Sequence, residues 1–313
     1  MFESEVGKQE TAQKESWIKK NWSSVLVGLA FIAGLILFLY PSFANYWNSF
    51  NQSRAIMTYS EVISNMSEEE YDKQIAEALE YNSNLAKTGA NWKMTAADKD
   101  DYNSKLNFAG DGNMGYIRIE KIKVTLPIYH GTNEKVLQTS IGHLEGSSLP
   151  VGASSYNCEE GKVMDPEDGS HCVLTGHRGL PSSKLFSDLD KLAEGDVFSL
   201  NVLGETYTYQ IDQIRVVEPS DLSELKITPG MDYCTLVTCT PYGINTHRLL
   251  VRGHRTANPQ GDVTIIADAI LIDRKYVAPF IAGPILLILI LGVLISDKKK
   301  KRNKSKAVGG SDS

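Results

Sequence analysis

A cysteine, a histidine and an arginine stand where three short strands are expected to meet loops. Cys239 closes the run Thr235-Leu236-Val237-Thr238-Cys239, and Thr240-Pro241-Tyr242-Gly243 follows it. The run is β-branched and apolar, which predicts a strand. Pro241 has no N–H for a sheet ladder, so the strand stops near the thiol. Arg248 opens a second apolar run, Leu249-Leu250-Val251. His177 follows Val173-Leu174-Thr175-Gly176, about sixty residues before the cysteine. These three side chains suit nucleophilic acyl transfer. A thiolate attacks a carbonyl, and an imidazolium hands a proton to the leaving amine. An arginine keeps its charge at all relevant pH, so Arg248 is suited to stabilise an oxyanion or hold a substrate backbone. Residue types alone also fit a buried structural cysteine, a surface histidine and a salt-bridging arginine.

Positioning such a trio requires a rigid sheet, and the pattern supplies one. Tyr116-Ile117-Arg118-Ile119 alternates, as do Ile122-Lys123-Val124, residues 197–202, residues 206–211 and residues 214–217. Asn113 and Gly204-Glu205 punctuate these runs. Short strands at this spacing predict an antiparallel barrel or sandwich. Residues 185–192 predict a short helix. Upstream, Ile63, Met66, Tyr71, Ile75, Ala78, Leu79 and Leu85 recur at helical spacing within residues 51–88. Ser67 and Glu70 resemble a capping box that starts a second helix. Residues 89–113 predict a loop, long for a structureless connection, and long loops are often lids.

Charge and hydropathy set the surroundings. The 313 residues are 42% hydrophobic and 22% charged, with a formal net charge of −6. That balance argues against nucleic acid as a partner. Residues 25–40 and 276–295 are two uncharged apolar runs. The second is long enough to cross a hydrocarbon core of roughly 30 Å as a helix. The first is shorter and draws on its aromatic flanks, Trp17, Trp22, Tyr46 and Trp47, which suit the headgroup level. Lys19-Lys20 precede the first run, and Lys298-Lys299-Lys300-Lys301-Arg302 follow the second. The positive-inside rule then puts both termini in the cytoplasm and residues 41–275 outside. Ser42-Phe43-Ala44 also offers small residues for signal cleavage, although the run exceeds the usual apolar core of such peptides. Residues 304–313 are polar and fit a disordered tail.

Thr235-Leu236-Val237-Thr238-Cys239 with an arginine nine positions on resembles the sortase signature, and Leu174-Thr175-Gly176-His177-Arg178 resembles the sortase histidine segment. Further stretches resemble the pilin-polymerising branch, class C. These are Tyr40-Pro41 with Asn45-Tyr46-Trp47-Asn48, residues 110–117, residues 126–132, Gly142-His143-Leu144-Glu145-Gly146 and Thr240-Pro241-Tyr242-Gly243.

The resemblance implies a mainly β fold: a closed sortase-type barrel with N-terminal helices and a lid loop, flanked by two transmembrane helices. The expected segments are a cytoplasmic tail (1–21), a membrane helix or signal-anchor (22–40) and a helical region with lid (41–113). A catalytic barrel (114–256), a connector (257–275), a second membrane helix (276–295) and a basic tail (296–313) follow. The implied enzyme is a plasma-membrane transpeptidase with Cys239 as nucleophile, His177 as general acid/base and Arg248 as stabiliser. It cuts a pilin sorting signal of the Leu-Pro-x-Thr-Gly type and joins the threonine acyl group to a lysine of the next pilin. No cofactor or metal is needed. Two other readings stay open: anchoring of surface proteins to peptidoglycan precursor, and a non-catalytic scaffold that only binds pilins.

Members of class C resemble one another in a lid loop with Asp-Pro and an aromatic. Here residues 85–102 lack Asp-Pro. Gly89-Ala90-Asn91-Trp92-Lys93-Met94 holds the place, with Trp92 as the expected anchor, or else a tryptophan packed on the barrel surface, and Asn91 as a neutral hydrogen-bonding group toward the site. Asp165-Pro166 lies elsewhere, in a segment bracketed by Cys158 and Cys172 that resembles an insertion. In an exported domain those two cysteines suggest a disulfide that braces the His177 loop, worth roughly 3 kcal/mol in the chain-entropy model. Free thiols and a zinc site with His171 are the alternatives. Cys234 lies an odd number of positions from Cys239, so it is expected on the opposite face as a small buried residue. His130, His143, His247 and His254 are read as structural or surface groups.

Overall fold

The computed structural model describes residues 22–258 and Gly283. The expected connector beyond that range, the second membrane helix and both tails lie outside the described residues.

Helix α1 (Trp22–Ser64) runs unbroken through Pro41 for 43 residues. The apolar run and the following amphipathic stretch, expected as separate pieces, are therefore one rod. At 1.5 Å per residue it is about 65 Å long. Its first half leaves Leu26, Leu29, Ile36, Leu37 and Phe38 exposed, and among the described residues it is the one helix long and apolar enough to cross a membrane. Its second half buries Ile56 and Tyr59 against the barrel. The Tyr59 hydroxyl donates to Met114 O at 3.1 Å and accepts from Leu203 N at 2.8 Å.

Helix α2 (Glu68–Thr88) starts at the expected cap, where Ser67 Oγ accepts from Glu70 N at 3.2 Å. Only half of the box forms, because the Glu70 carboxylate accepts from Gln74 Nε2 instead. Gly89 ends the helix at φ +82°, a conformation that glycine adopts without steric cost. The expected loop at 89–113 contains a third helix, α3 (Ala96–Ser104). Thr95 and Asp98 form a full reciprocal capping box there. The helix buries only Tyr102, so it has no apolar stripe for a periodicity argument to find.

The barrel has strands β1 (Asn113–Ile119), β2 (Val124–His130), β3 (Ile141–His143), β6 (Ser170–Thr175), β7 (Val197–Val202), β8 (Glu205–Val217), β9 (Asp232–Thr240) and β10 (His247–Thr256). They close in the order β1-β2-β3-β6-β9-β10-β8-β7. The pairs β2–β3 and β6–β9 are parallel. β8 fuses the two expected runs on either side of Asp212 into one 13-residue strand. The helix expected at 185–192 shrinks to a 3₁₀ turn at Leu189–Lys191. Strands β4 (Tyr156–Asn157) and β5 (Lys162–Val163) form a separate hairpin in the inserted segment. Ile117, Leu126, Leu174, Leu200, Tyr209, Leu236 and Val251 fill the barrel, drawn from alternate positions of neighbouring strands.

Candidate active site

β9 separates its residues by parity. Cys234 and Leu236 join the core, whereas Val237 joins a smaller cluster with Val173 and Leu250. Cys239 shares parity with Val237 and is half-buried at the strand's end. Arg248 is the register partner of Cys239 on β10, so the two side chains share a face. On the other flank Thr175 pairs with Val237, and Gly176 N donates to Val237 O at 3.0 Å. Thr238 Oγ1 donates to Gly176 O at 2.8 Å. Two residues further along each chain, His177 comes level with Cys239. The structure thus brings all three expected residues to one edge of the barrel, with the thiol on the middle strand.

The arginine is only partly engaged. Among the described residues its guanidinium contacts both use Nη1, to Asn245 O at 3.3 Å and His247 O at 3.1 Å. These tie it to its own loop and leave Nε and Nη2 for a ligand or solvent. His177 Nε2 lies 3.6 Å from Glu134 Oε2, beyond hydrogen-bond length. Glu134 opens α4 (Glu134–Leu137), capped by Asn133. It has no sequence signal linking it to the histidine; the register of β2 and β3 brings it there. Arg178 clasps the same edge. It pairs with Asp190 at 2.5 Å, donates to Thr240 Oγ1 at 3.3 Å and lies over the Tyr242 ring. Its place directly after His177 was the available hint.

The two lid residues differ. Trp92 packs against the cluster of Val173, Val237 and Leu250, one side-chain repeat down β9 from Cys239. Asn91 points elsewhere. Its N–H donates to Gly146 O at 2.9 Å, its amide nitrogen donates to Asp98 Oδ2 at 3.3 Å, and its oxygen accepts from Lys93 N at 3.2 Å. Its partners are thus the loop and Gly146, not the Arg248 side of the site as expected from sequence. Gly146 must be glycine here, because a Cβ would stand 2.0 Å from Asn91 O.

The expected disulfide is not formed: Cys158 and Cys172 are both free. Cys172 faces the barrel core in register with Cys234, while Cys158 is exposed beyond β4. A bridge needs converging Cβ vectors and Cα atoms within about 7 Å, and one thiol inside the barrel with the other in solvent does not provide them. Burial pushes the Cys234 thiol well above its usual range, consistent with an inert packing role. His171 is no zinc ligand either, since Lys226 O and Thr235 Oγ1 occupy its ring nitrogens at 2.8 and 2.7 Å. The His177 loop is braced instead by Arg178 and by Phe186 N, which donates to His177 O at 3.2 Å. His143 is buried between Tyr102 and Ser148 O, His130 bonds Lys105 O and Gly112 O, and His247 and His254 lie beside Glu218 and Asp212.

Comparison with known proteins agrees with this geometry. A family model described as the sortase domain matches residues 117–256. Sortase C1 of Streptococcus agalactiae is 57% identical, with 66% of this chain and all of that structure covered at a TM-score of 0.60. A Streptococcus pneumoniae sortase C, whose structure is described as bearing on catalysis and pilin substrate specificity, is 39% identical. It is covered over 66% of this chain and 100% of its own, at a TM-score of 0.55. The curated sortase A of S. agalactiae is 28% identical over 165 residues, 52% of this chain and 61% of that protein. The chain thus spans about three fifths of that relative's length. Three residues at one barrel edge, a closed eight-stranded barrel behind them and agreement with solved relatives over 66% of this chain lead to one assignment: the chain belongs to the sortase family of cysteine transpeptidases, in class C.

Proposed function

We propose that this chain is a membrane-anchored transpeptidase that polymerises pilins, with Cys239, His177 and Arg248 as its catalytic residues. The observation that carries the reading is the register of Cys239 with Arg248 on one side and the level placement of His177 on the other. The Cys239 thiolate attacks the Thr–Gly carbonyl of a Leu-Pro-x-Thr-Gly-type sorting signal. Arg248 donates its free N–H groups to the oxyanion. The C–N bond breaks, His177 protonates the departing glycine amine, and the threonine acyl group stays on sulfur as a thioester. A lysine amine of the next pilin then attacks that carbonyl, gives its proton to neutral His177 and releases the thiolate. The thioester keeps the free energy of the cleaved bond, so no nucleotide or other cofactor is required.

Water competes for the thioester, so the groove must be covered between turnovers. Trp92 on the apolar cluster below Cys239 supports a lid at residues 89–101, with the tryptophan as its anchor. The apolar first half of α1 supports anchoring of the domain at the plasma membrane. Cys239→Ala is expected to abolish both peptide cleavage and pilin polymerisation while leaving the fold intact. The check is polymer formation in cells lacking other sortases, beside cleavage of a soluble sorting peptide by purified protein. Wild-type polymer levels in the variant strain would remove the enzymatic reading and leave a scaffold. Cleavage with transfer only to peptidoglycan precursor would replace the acceptor.

A further inference from the structure

One face of α1 carries Asn45, Asn48, Gln52, Ile56 and Tyr59, spaced by three and four residues. Its lower part grips the loop that begins at His177. Asn45 Oδ1 accepts from Lys184 N at 3.0 Å, and Asn48 Nδ2 donates to Ser182 O at 2.8 Å. Gln52 Nε2 donates to Thr139 O at 2.6 Å and reaches Ser183 Oγ at 3.3 Å. That loop is closed at its base by the bond from Phe186 N to His177 O. Lys184 is two residues from Phe186, so its amide lies within about 10 Å of His177. Asn45 is five residues beyond Tyr40, the end of the apolar run, which is about 7 Å along a helix. The rod that carries the apolar run therefore holds the catalytic loop within roughly 20 Å of that run's end.

We infer that the Asn45–Asn48–Gln52 edge makes α1 a ruler, which fixes the catalytic centre at one height above the bilayer. It thereby selects acyl donors by the length of chain between their scissile bond and their own membrane segment. This rests on the proposed membrane anchoring and peptide cleavage. A spacer too short to rise from the membrane to Cys239 cannot react. A longer spacer still reaches the site and loses rate only slowly, through falling effective concentration. The selection is a threshold, not an optimum. Pro41 lies below the grip, and the helix continues through it, so the rigid coupling begins above any bend there.

The test uses the full chain reconstituted in phosphatidylglycerol-containing vesicles. The donors are synthetic peptides carrying the sorting motif, a Gly/Ser spacer of graded length and an apolar membrane helix. Cleavage is expected to fall at least tenfold below a minimum spacer. Seven helix-forming residues inserted between Ala44 and Asn45 turn the helix within about 20° of its original phase and raise the domain by about 10 Å. The minimum spacer should then lengthen by about three residues. An eleven-residue insertion, about 16 Å and again near phase, should shift it by about five. Cleavage of a free soluble peptide by each variant shows that the site is intact. An unchanged threshold in an insertion variant that cleaves the free peptide overturns the ruler. If both insertions lose free-peptide cleavage, the wild-type profile decides, and a rate independent of spacer length overturns it. No cleavage of the free peptide by the wild type would instead sink the catalytic reading on which the inference stands.

Discussion

Two arginines mark the two ends of β10, and their surroundings are opposite. Arg248 sits at the groove end opposite Cys239, with Nη1 bonded to two carbonyls of its own loop. Arg255 sits at the closed end. It is 3.6 Å from Asp232 and lies over the rings of Tyr156 and Tyr207 at 4.6 and 4.4 Å. Asp232 in turn accepts from Ser170 Oγ, Tyr209 OH and Ala153 N. Burial pushes the Asp232 carboxyl up, while Arg255 and these donors pull it back. The closed end is a buried network in which Asp232 takes three hydrogen bonds and Arg255 meets a carboxylate and ring faces, its Nε buried without a hydrogen-bond partner among the described residues. The groove end keeps donors unspent. What distinguishes two residues of one type on one strand is access: the guanidinium of Arg255 is sealed inside the fold, whereas that of Arg248 reaches the groove edge.

The comparison can be broken at either end. The largest effect should come from Arg255→Ala, which leaves Asp232 buried without its cation. Removing one partner of a buried pair costs about 3–5 kcal/mol, so urea unfolding should show a loss of that size. Activity per folded molecule should stay near wild type. A loss of kcat with unchanged stability would reverse the roles assigned to the two ends. Next, Arg248→Lys should lower kcat/KM for a sorting peptide about hundredfold, the scale of an oxyanion donor, although charge is kept. Its unfolding curve should match wild type. A variant within about threefold in rate would reduce Arg248 to a point charge.

Acid should strike the closed end. His171 lies there beside Tyr233, and burial lowers its pKa from 6.5 to about 4. Arg252 also lowers it, while the bond to Lys226 O and the charges of Asp212 and Glu224 raise it. The folded value lies below the unfolded one, so the folded state binds fewer protons between them. The stability tied to neutral His171 is full above about pH 6.5 and is lost as pH falls toward about 4. Between pH 7 and 5 that amounts to about 2 kcal/mol. His130, lowered by burial, adds to the same slope. His171→Gln should flatten the stability–pH profile in that window; an unchanged slope would mean that other groups set it. The smallest effect belongs to the lid. Trp92→Ala should speed alkylation of Cys239 by a small thiol reagent several-fold, with labelling confirmed by mass spectrometry. Equal rates would leave Trp92 as surface packing.

The site was more legible than its supports. The placing of Cys239, Arg248 and His177 at strand ends was legible because Pro241, Gly243 and β-branched runs mark those ends locally, while their proposed roles came from the family resemblance. Alternation in residues 114–256 left a barrel or a sandwich open, and the family resemblance selected the barrel. The lid residues were harder. The aromatic character of Trp92 suggested an anchor, but the partners of Asn91 depended on Gly146 and Asp98, which the chain brings close only after α2 and α3 pack. Helix α3 escaped because its nine residues bury only Tyr102 and so carry no apolar stripe.

What the sequence by itself determined is the local chemistry and its periodicity: a thiol ending a β-branched strand, an arginine opening the next, apolar runs, and caps such as Ser67. These depend on neighbours within a few positions, which a linear reading contains. What only the tertiary structure decided are the meetings of distant segments. Cys172 bracketed an insertion with Cys158, yet the parallel pairing of β6 with β9 turned it inward beside Cys234. Asn45 and Asn48 read only as part of a stretch resembling class C, yet the docking of α1 set them against the His177 loop, more than a hundred residues away. Strand order and helix docking follow from how the whole apolar surface is buried, and no local window holds that balance.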